Sequence, residues 1–136
     1  MTFLPDTSVW VSYFRDPEGH IADRLDSLLD ENPGSVIGCP PVRMELSMDD
    51  QDLRRRRILR VYDGFQTVGV MDDDFDLAAD VYRAARMKGY TIRSQLDCVI
   101  AAMALRVEAT LVHDDVDFDR MAEVVTDLAV LRLPDS

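Results

Sequence analysis

Brief apolar segments, each cut short by Pro, Asp or Gly, alternate along the chain with longer stretches of helical period. No other property of the sequence limits its fold as strongly, because strands and helices must then alternate in space as well. Residues 2–5 form an apolar segment that ends at Pro5-Asp6 and reads as a strand entering a helix near Thr7. Val9, Trp10, Tyr13 and Phe14 give that helix one apolar stripe, and residues 16–19 break it. Ile21, Leu25, Leu28 and Leu29 mark a second amphipathic helix, closed by the Asn32-Pro33-Gly34 turn. Residues 35–39 read as a strand, and Pro40-Pro41 opens a helix carrying Val42 and Glu45, since the fixed φ of proline suits a first helical turn.

A polar stretch at 48–52 precedes a helix through Leu53, Ile58, Leu59 and Tyr62. Residues 66–70 read as a strand. The run Asp72-Asp73-Asp74 favours a helix N-terminus through charge–dipole attraction, and Gly89 stops that helix after Lys88. The plainest helix spans 95–107, with Leu96, Val99, Ile100, Met103, Ala104 and Val107 on its buried side. A strand at 110–112, a short helix at 118–122 and a strand at 130–133 complete the order. The expected architecture is α/β: one domain over residues 1–136, with a central, mainly parallel β-sheet flanked by helices on both faces.

A chain of 136 residues removes roughly two thirds of its unfolded surface from water, so it needs no disulfide or structural metal to fold. Its 15 Lys and Arg against 26 Asp and Glu leave a net charge of −11. That balance excludes holding nucleic acid by general basicity and disfavours binding to anionic membranes. It leaves open a nucleic-acid enzyme that works through a local cationic patch or a bound metal ion. Cys39 and Cys98 have no metal-binding spacing, and a reducing compartment suits them. The longest uncharged apolar run, 98–105, is far shorter than the ~20 residues that cross a bilayer, and no signal peptide is visible. The expectation is a soluble, cytoplasmic protein.

In parallel α/β folds, ligands bind beyond the C-terminal ends of the strands. Asp6 stands at the end of the first strand, and His113-Asp114-Asp115-Val116-Asp117 follows the strand 110–112. Glu45 lies on the helix after the strand 35–39, and Asp97 in the first turn of the helix 95–107. Asp6, Glu45, Asp97 and Asp115 can therefore converge, with Asp117 near by. Two carboxylates about 4 Å apart repel by roughly 4 kcal/mol at an effective dielectric near 20. A hard divalent cation such as Mg²⁺ relieves that repulsion and turns the pocket toward anions.

Each residue also has a plainer reading. Asp6 can be the N-cap of the first helix, and Ser94-x-x-Asp97 matches a capping box with Asp in the place of Glu. Glu45 can be a solvated helix residue; Asp115 and Asp117 can be turn formers, Asp117 capping the short helix. The runs Asp49-Asp50 and Asp72-Asp73-Asp74 read as solvated loops and helix starts. Placement at strand ends, in this chain order, carries more weight than any single residue.

Four motifs in that order resemble the PIN-domain ribonucleases, and within them the VapC-type toxins of VapBC toxin–antitoxin pairs, mycobacterial ones above all. They are Asp6-Thr7-Ser8-Val9-Trp10, Met44-Glu45-Leu46, Arg93-Ser94-Gln95-Leu96-Asp97-Cys98-Val99-Ile100-Ala101-Ala102 and His113-Asp114-Asp115-Val116-Asp117-Phe118. The resemblance covers essentially the whole chain. It implies a PIN-like fold and an endoribonuclease dependent on Mg²⁺ or Mn²⁺, which hydrolyses RNA to a 5′-phosphate and a 3′-hydroxyl. Carried over by motif, Asp6 and Asp97 are the principal metal ligands, and Glu45 and Asp115 complete the catalytic set. Asp117 supports Asp115 or the fold, and Ser8 hydrogen-bonds within the ion's hydration shell. His113, where the wider family often has Thr, reads as structural. The resemblance further implies tRNA or another structured RNA as substrate, a small VapB-type antitoxin as partner, and a homodimer within a larger assembly.

The cations cluster at Arg54 to Arg57 and Arg60, and at Arg83, Arg86, Lys88 and Arg93. Arg93, four residues before Asp97, is a candidate contact to substrate phosphate, whereas Arg54 to Arg57 read equally as a solvated face. A two-histidine mechanism on the RNA 2′-hydroxyl is disfavoured, because the only histidines are His20, in a polar turn, and His113. The alternative function is a non-catalytic PIN-like interaction module. A receiver or phosphatase fits less well, because Ser8 stands where the phosphatase pattern wants a second Asp.

Overall fold

The computed structural model describes residues 1–133; positions 134–136, the end of the expected domain, lie outside the described residues. The elements run β1 (Phe3–Pro5), α1 (Thr7–Arg15), α2 (His20–Glu31), β2 (Ile37–Gly38), α3 (Pro40–Leu46), α4 (Asp52–Tyr62), β3 (Gln66–Thr67), α5 (Asp72–Met87), α6 (Gln95–Val107), β4 (Thr110–His113), α7 (Val116–Val124) and β5 (Val130–Arg132). Every expected element is present, in the expected order.

All strand pairs are parallel. One ladder runs β1-β4-β5 and a second pairs β2 with β3. A bridge between Phe3 and Val36, and the Phe3 N–H donated to the Ser35 carbonyl at 2.8 Å, set β2 beside β1. The strands therefore lie in the order β3-β2-β1-β4-β5. The strand expected at 66–70 shrinks to Gln66–Thr67, because β2 offers only two residues to pair with. The last helix begins at Val116 rather than at 118, since Asp115 caps it.

The core follows the apolar stripes. Trp10 is fully buried and meets Tyr62 edge-on, with ring centroids 5.7 Å apart. An aromatic of that size hides roughly 200 Å², and at ~25 cal/mol/Å² this contributes on the order of 5 kcal/mol. The Tyr62 hydroxyl accepts the Cys39 N–H at 2.9 Å, which anchors the start of α3 to the end of α4. Gly38 makes room for that ring: a Cβ there would stand 2.8 Å from Tyr62 Cζ. Helix α6 supplies seven consecutive buried residues, Cys98 to Ala104, and packs against α5, α3 and β4. Cys39 and Cys98 are free and buried.

One expectation fails within the aspartate run. Asp74 is not solvated but only 1% exposed. It accepts Arg106 Nε at 2.8 Å and the Met71 N–H at 2.8 Å, so it ties α6 to the start of α5. Burial alone would raise its pKa, and these bonds reverse the sign and hold the carboxyl below its ordinary range.

Candidate active site

Parallel pairing brings the C-terminal ends of the strands to one edge. Pro5 is in register with Val112, and the Asp6 N–H donates to the Val112 carbonyl at 2.9 Å. Asp6 is thus held beside the segment that leaves β4. It caps α1 as the plainer reading had it: Oδ1 accepts the Val9 N–H at 3.3 Å and the Ser8 hydroxyl at 2.7 Å. Both bonds use the same oxygen. Asp6 is 3% exposed. Burial pushes its carboxyl up to about 7, against the pull of the Ser8 and Val9 bonds, and Asp115 adds to the rise.

Asp97 sits in the first turn of α6. Ser94 is the N-cap, but its side chain makes no capping bond, so the expected capping box does not form and the Asp97 carboxylate is not spent on it. Burial, then the charges of Asp6, Glu45, Asp115 and Asp117, push Asp97 up to about 7. Glu45, half-buried on α3, accepts the Thr7 hydroxyl at 2.6 Å.

Asp115 is the N-cap of α7, a place expected for Asp117. Its Oδ1 accepts the Asp117 N–H at 2.9 Å and Arg93 Nη2 at 2.8 Å. Asp117 lies inside the helix and is 1% exposed. Its Oδ2 takes the Arg93 N–H at 3.1 Å and Arg93 Nε at 3.2 Å. Arg93 therefore faces the acids of α7 and links the approach to α6 with the approach to α7. Ser8 completes the turn by accepting the Asp114 N–H at 3.3 Å.

His113 is wholly buried, and its Nδ1 accepts the Asp115 N–H at 3.1 Å. Burial lowers its pKa, so the ring is neutral and ends the strand.

The four acids thus gather as an electrostatic cluster: each of Asp6, Glu45 and Asp115 acts on Asp97. Among the described residues, no three His, Cys, Asp or Glu side chains are drawn into a ready-made metal cage. Thr7 is the residue that sequence reasoning missed. It is 38 positions from Glu45, and no spacing rule joins the two; its only signal was a hydroxyl next to Asp6.

Residues 3–124 match the PIN domain. The chain is 41% identical over 125 residues to the VapC ribonuclease Mb1587 of Mycobacterium bovis and to the ribonuclease VapC11 of Mycobacterium tuberculosis, spanning 89% of this chain and 92% of each relative. Its fold resembles that of VapBC2 from Rickettsia felis, solved bound to a DNA fragment from its promoter, with a TM-score of 0.77, 16% identity and coverage of 98% of this chain and 100% of that one. It also resembles VapBC-5 from Mycobacterium tuberculosis, with a TM-score of 0.71, 21% identity and coverage of 96% and 98%. The structural likeness speaks for the fold and the sequence likeness for the lineage: this chain belongs to the PIN-domain family, among the VapC ribonucleases.

Proposed function

We propose that the chain is a Mg²⁺- or Mn²⁺-dependent endoribonuclease and the toxin of a toxin–antitoxin pair. One observation carries this reading. Asp97 is half-buried among four other acids, its carboxyl is pushed up to about 7, and no donor among the described residues is bonded to it. Such a group either stays protonated or meets a cation. The donor set is all carboxylate oxygen, which suits a hard divalent ion.

Asp6 and Asp97 would hold that ion. When bound, it supplies the positive charge that admits a phosphodiester and makes water acidic enough to attack at neutral pH. The chain's own groups prepare the place. Ser8 and the Val9 N–H fix Asp6 through Oδ1, which leaves Oδ2 free of protein donors among the described residues. Thr7 orients Glu45, whose carboxylate is not committed to a helix cap and can take a proton. Asp115 sets the charge of the far wall, and Arg93 and Asp117 keep it in position.

The substrate is RNA, with tRNA or another structured RNA as the expected class. The partner is a small VapB-type antitoxin, in keeping with relatives solved as VapBC complexes. A homodimer inside that assembly completes the proposal. The test is cleavage of a total RNA pool by the purified chain with Mg²⁺, with EDTA and as Asp97→Asn. Cutting should require the metal and vanish in the variant. Undiminished, EDTA-resistant cutting by Asp97→Asn removes the reading.

A further inference from the structure

The cationic run on α4 divides when its partners are examined. Arg54 pairs with Asp49 at 2.6 Å, and Arg55 and Arg56 both pair with Asp52. Arg57 makes no ion pair among the described residues, and neither does Arg15 at the end of α1. Both line one groove of about 590 Å³ between α1, α3 and α4. Glu45 lines the same groove, and its charge reaches Asp97. The groove therefore shares Glu45 with the acid cluster, and Glu45 accepts the hydroxyl of Thr7, the residue next to Asp6.

We propose that this groove is the track for the RNA strand next to the scissile bond, with Arg15 and Arg57 holding its phosphates and Phe14 offering an apolar face to a base. The inference rests on the ribonuclease reading and names where its substrate lies. Arg15 and Arg57 are exposed guanidiniums without an ion pair among the described residues, and both line the groove that Glu45 shares. A polyanion uses them both. The floor, made by Val11, Phe14, Leu46 and Ile58, is apolar enough for the face of an unstacked base. The Asp49 carboxylate in the wall is already neutralised by Arg54, so it does not repel a phosphate outright.

A protein helix seated on the floor is the competing occupant. The experiment is fluorescence anisotropy with end-labelled total tRNA, over a series of KCl concentrations, in an Asp97→Asn background that prevents cutting. The double variant Arg15→Gln, Arg57→Gln should bind about tenfold more weakly. Its slope of log affinity against log salt should fall by roughly 0.7 for each arginine removed. Arg56→Gln, which removes one charge from the same helix as Arg57, should leave affinity within about twofold. Arg57→Glu alone serves as a second test should the double variant melt early.

Unchanged tRNA affinity and salt slope in the double variant, while the wild-type chain still cuts RNA, overturn the track and leave the ribonuclease reading intact. Unchanged tRNA binding with loss of assembly to the antitoxin gives the groove to the protein partner and likewise overturns it. A Mg²⁺-supplied wild-type chain that neither binds nor cuts RNA defeats the ribonuclease reading itself.

Discussion

Arg93 Nη2 stands 2.8 Å from Asp115 Oδ1, the same oxygen that accepts the Asp117 N–H at 2.9 Å. One carboxylate oxygen thus caps α7 and holds the arginine that precedes α6. Through this link, the turn that carries Asp97 and the turn that carries Asp115 are set relative to each other. A planar guanidinium does this by reaching Asp117 Oδ2 through Nε as well, at 3.2 Å.

Arg93→Gln should therefore lower kcat for RNA cleavage by roughly tenfold, as expected when reacting groups lose their placement. The side chain is 71% exposed, so Tm should move by only a few degrees. Arg93→Lys should rescue only in part, because an ammonium cannot span both carboxylates. Steady-state kinetics beside thermal melts check this. Wild-type kcat in Arg93→Gln would mean that the link is decorative.

The acid cluster costs stability when no cation is bound. Asp6 and Asp97 are both pushed up to about 7, so at neutral pH each is only about half ionised, and burial and like charge disfavour its charged form. Asp97→Asn should raise the Tm of metal-free protein by several degrees while abolishing cleavage. Asp6→Asn should do the same to a smaller extent, since its amide oxygen still caps α1. Added Mg²⁺ should raise the melting temperature of the wild type and not that of either variant. Differential scanning calorimetry with and without EDTA decides it; a destabilised metal-free Asp97→Asn contradicts the account.

The pair Asp74 and Arg106 sets an acid limit elsewhere in the fold. Burial opposes ionisation of Asp74, but the bonds from Arg106 and the Met71 N–H outweigh it and depress its pKa. Its contribution is therefore whole above the ordinary carboxylate range, near pH 4, and is lost as pH falls through the lower folded value. The stability advantage of wild type over Asp74→Asn should hold at pH 6 and narrow steadily below about pH 4. Arg106→Met, which leaves the acid buried without its partner, should cost roughly 3 kcal/mol at neutral pH. Urea unfolding across pH tests both. A gap that widens in acid reverses the sign and refutes the assignment.

Gly38→Ala should destabilise by roughly 1–3 kcal/mol, because an added Cβ overpacks a closed site. It would meet Tyr62 Cζ and Oη at 2.8 Å, and that ring is 1% exposed and bonded to the Cys39 N–H. Tyr62→Phe alone should cost about 1 kcal/mol. The double variant should cost less than the sum, since removing the hydroxyl relieves one of the clashes. Strict additivity in chemical unfolding would place the strain elsewhere.

The order of strands and helices was legible in the chain because hydrophobic period is a local property. Val9 and Trp10, Ile21 and Leu25, and the run after Asp97 name their own buried faces within one or two turns. The same locality made the strand-end acids visible, since each follows an apolar segment directly. Strand 66–70 was overdrawn because its length depends on a partner that the segment itself does not contain.

By itself, then, the sequence determined the α/β order, the apolar stripes and the chain positions of Asp6, Glu45, Asp97 and Asp115. Only the tertiary structure decided what each acid does. Asp72, Asp73 and Asp74 are identical in kind, yet Asp74 alone is buried and meets Arg106 from 32 positions away. Asp115, not Asp117, caps α7, and Thr7 rather than solvent meets Glu45. Arg57 has no carboxylate partner among the described residues, while Arg54, Arg55 and Arg56 are each paired with an aspartate. The reason is that burial and charge pairing depend on groups distant in the chain and near in space, and a carboxylate carries no local mark of which neighbours folding will give it.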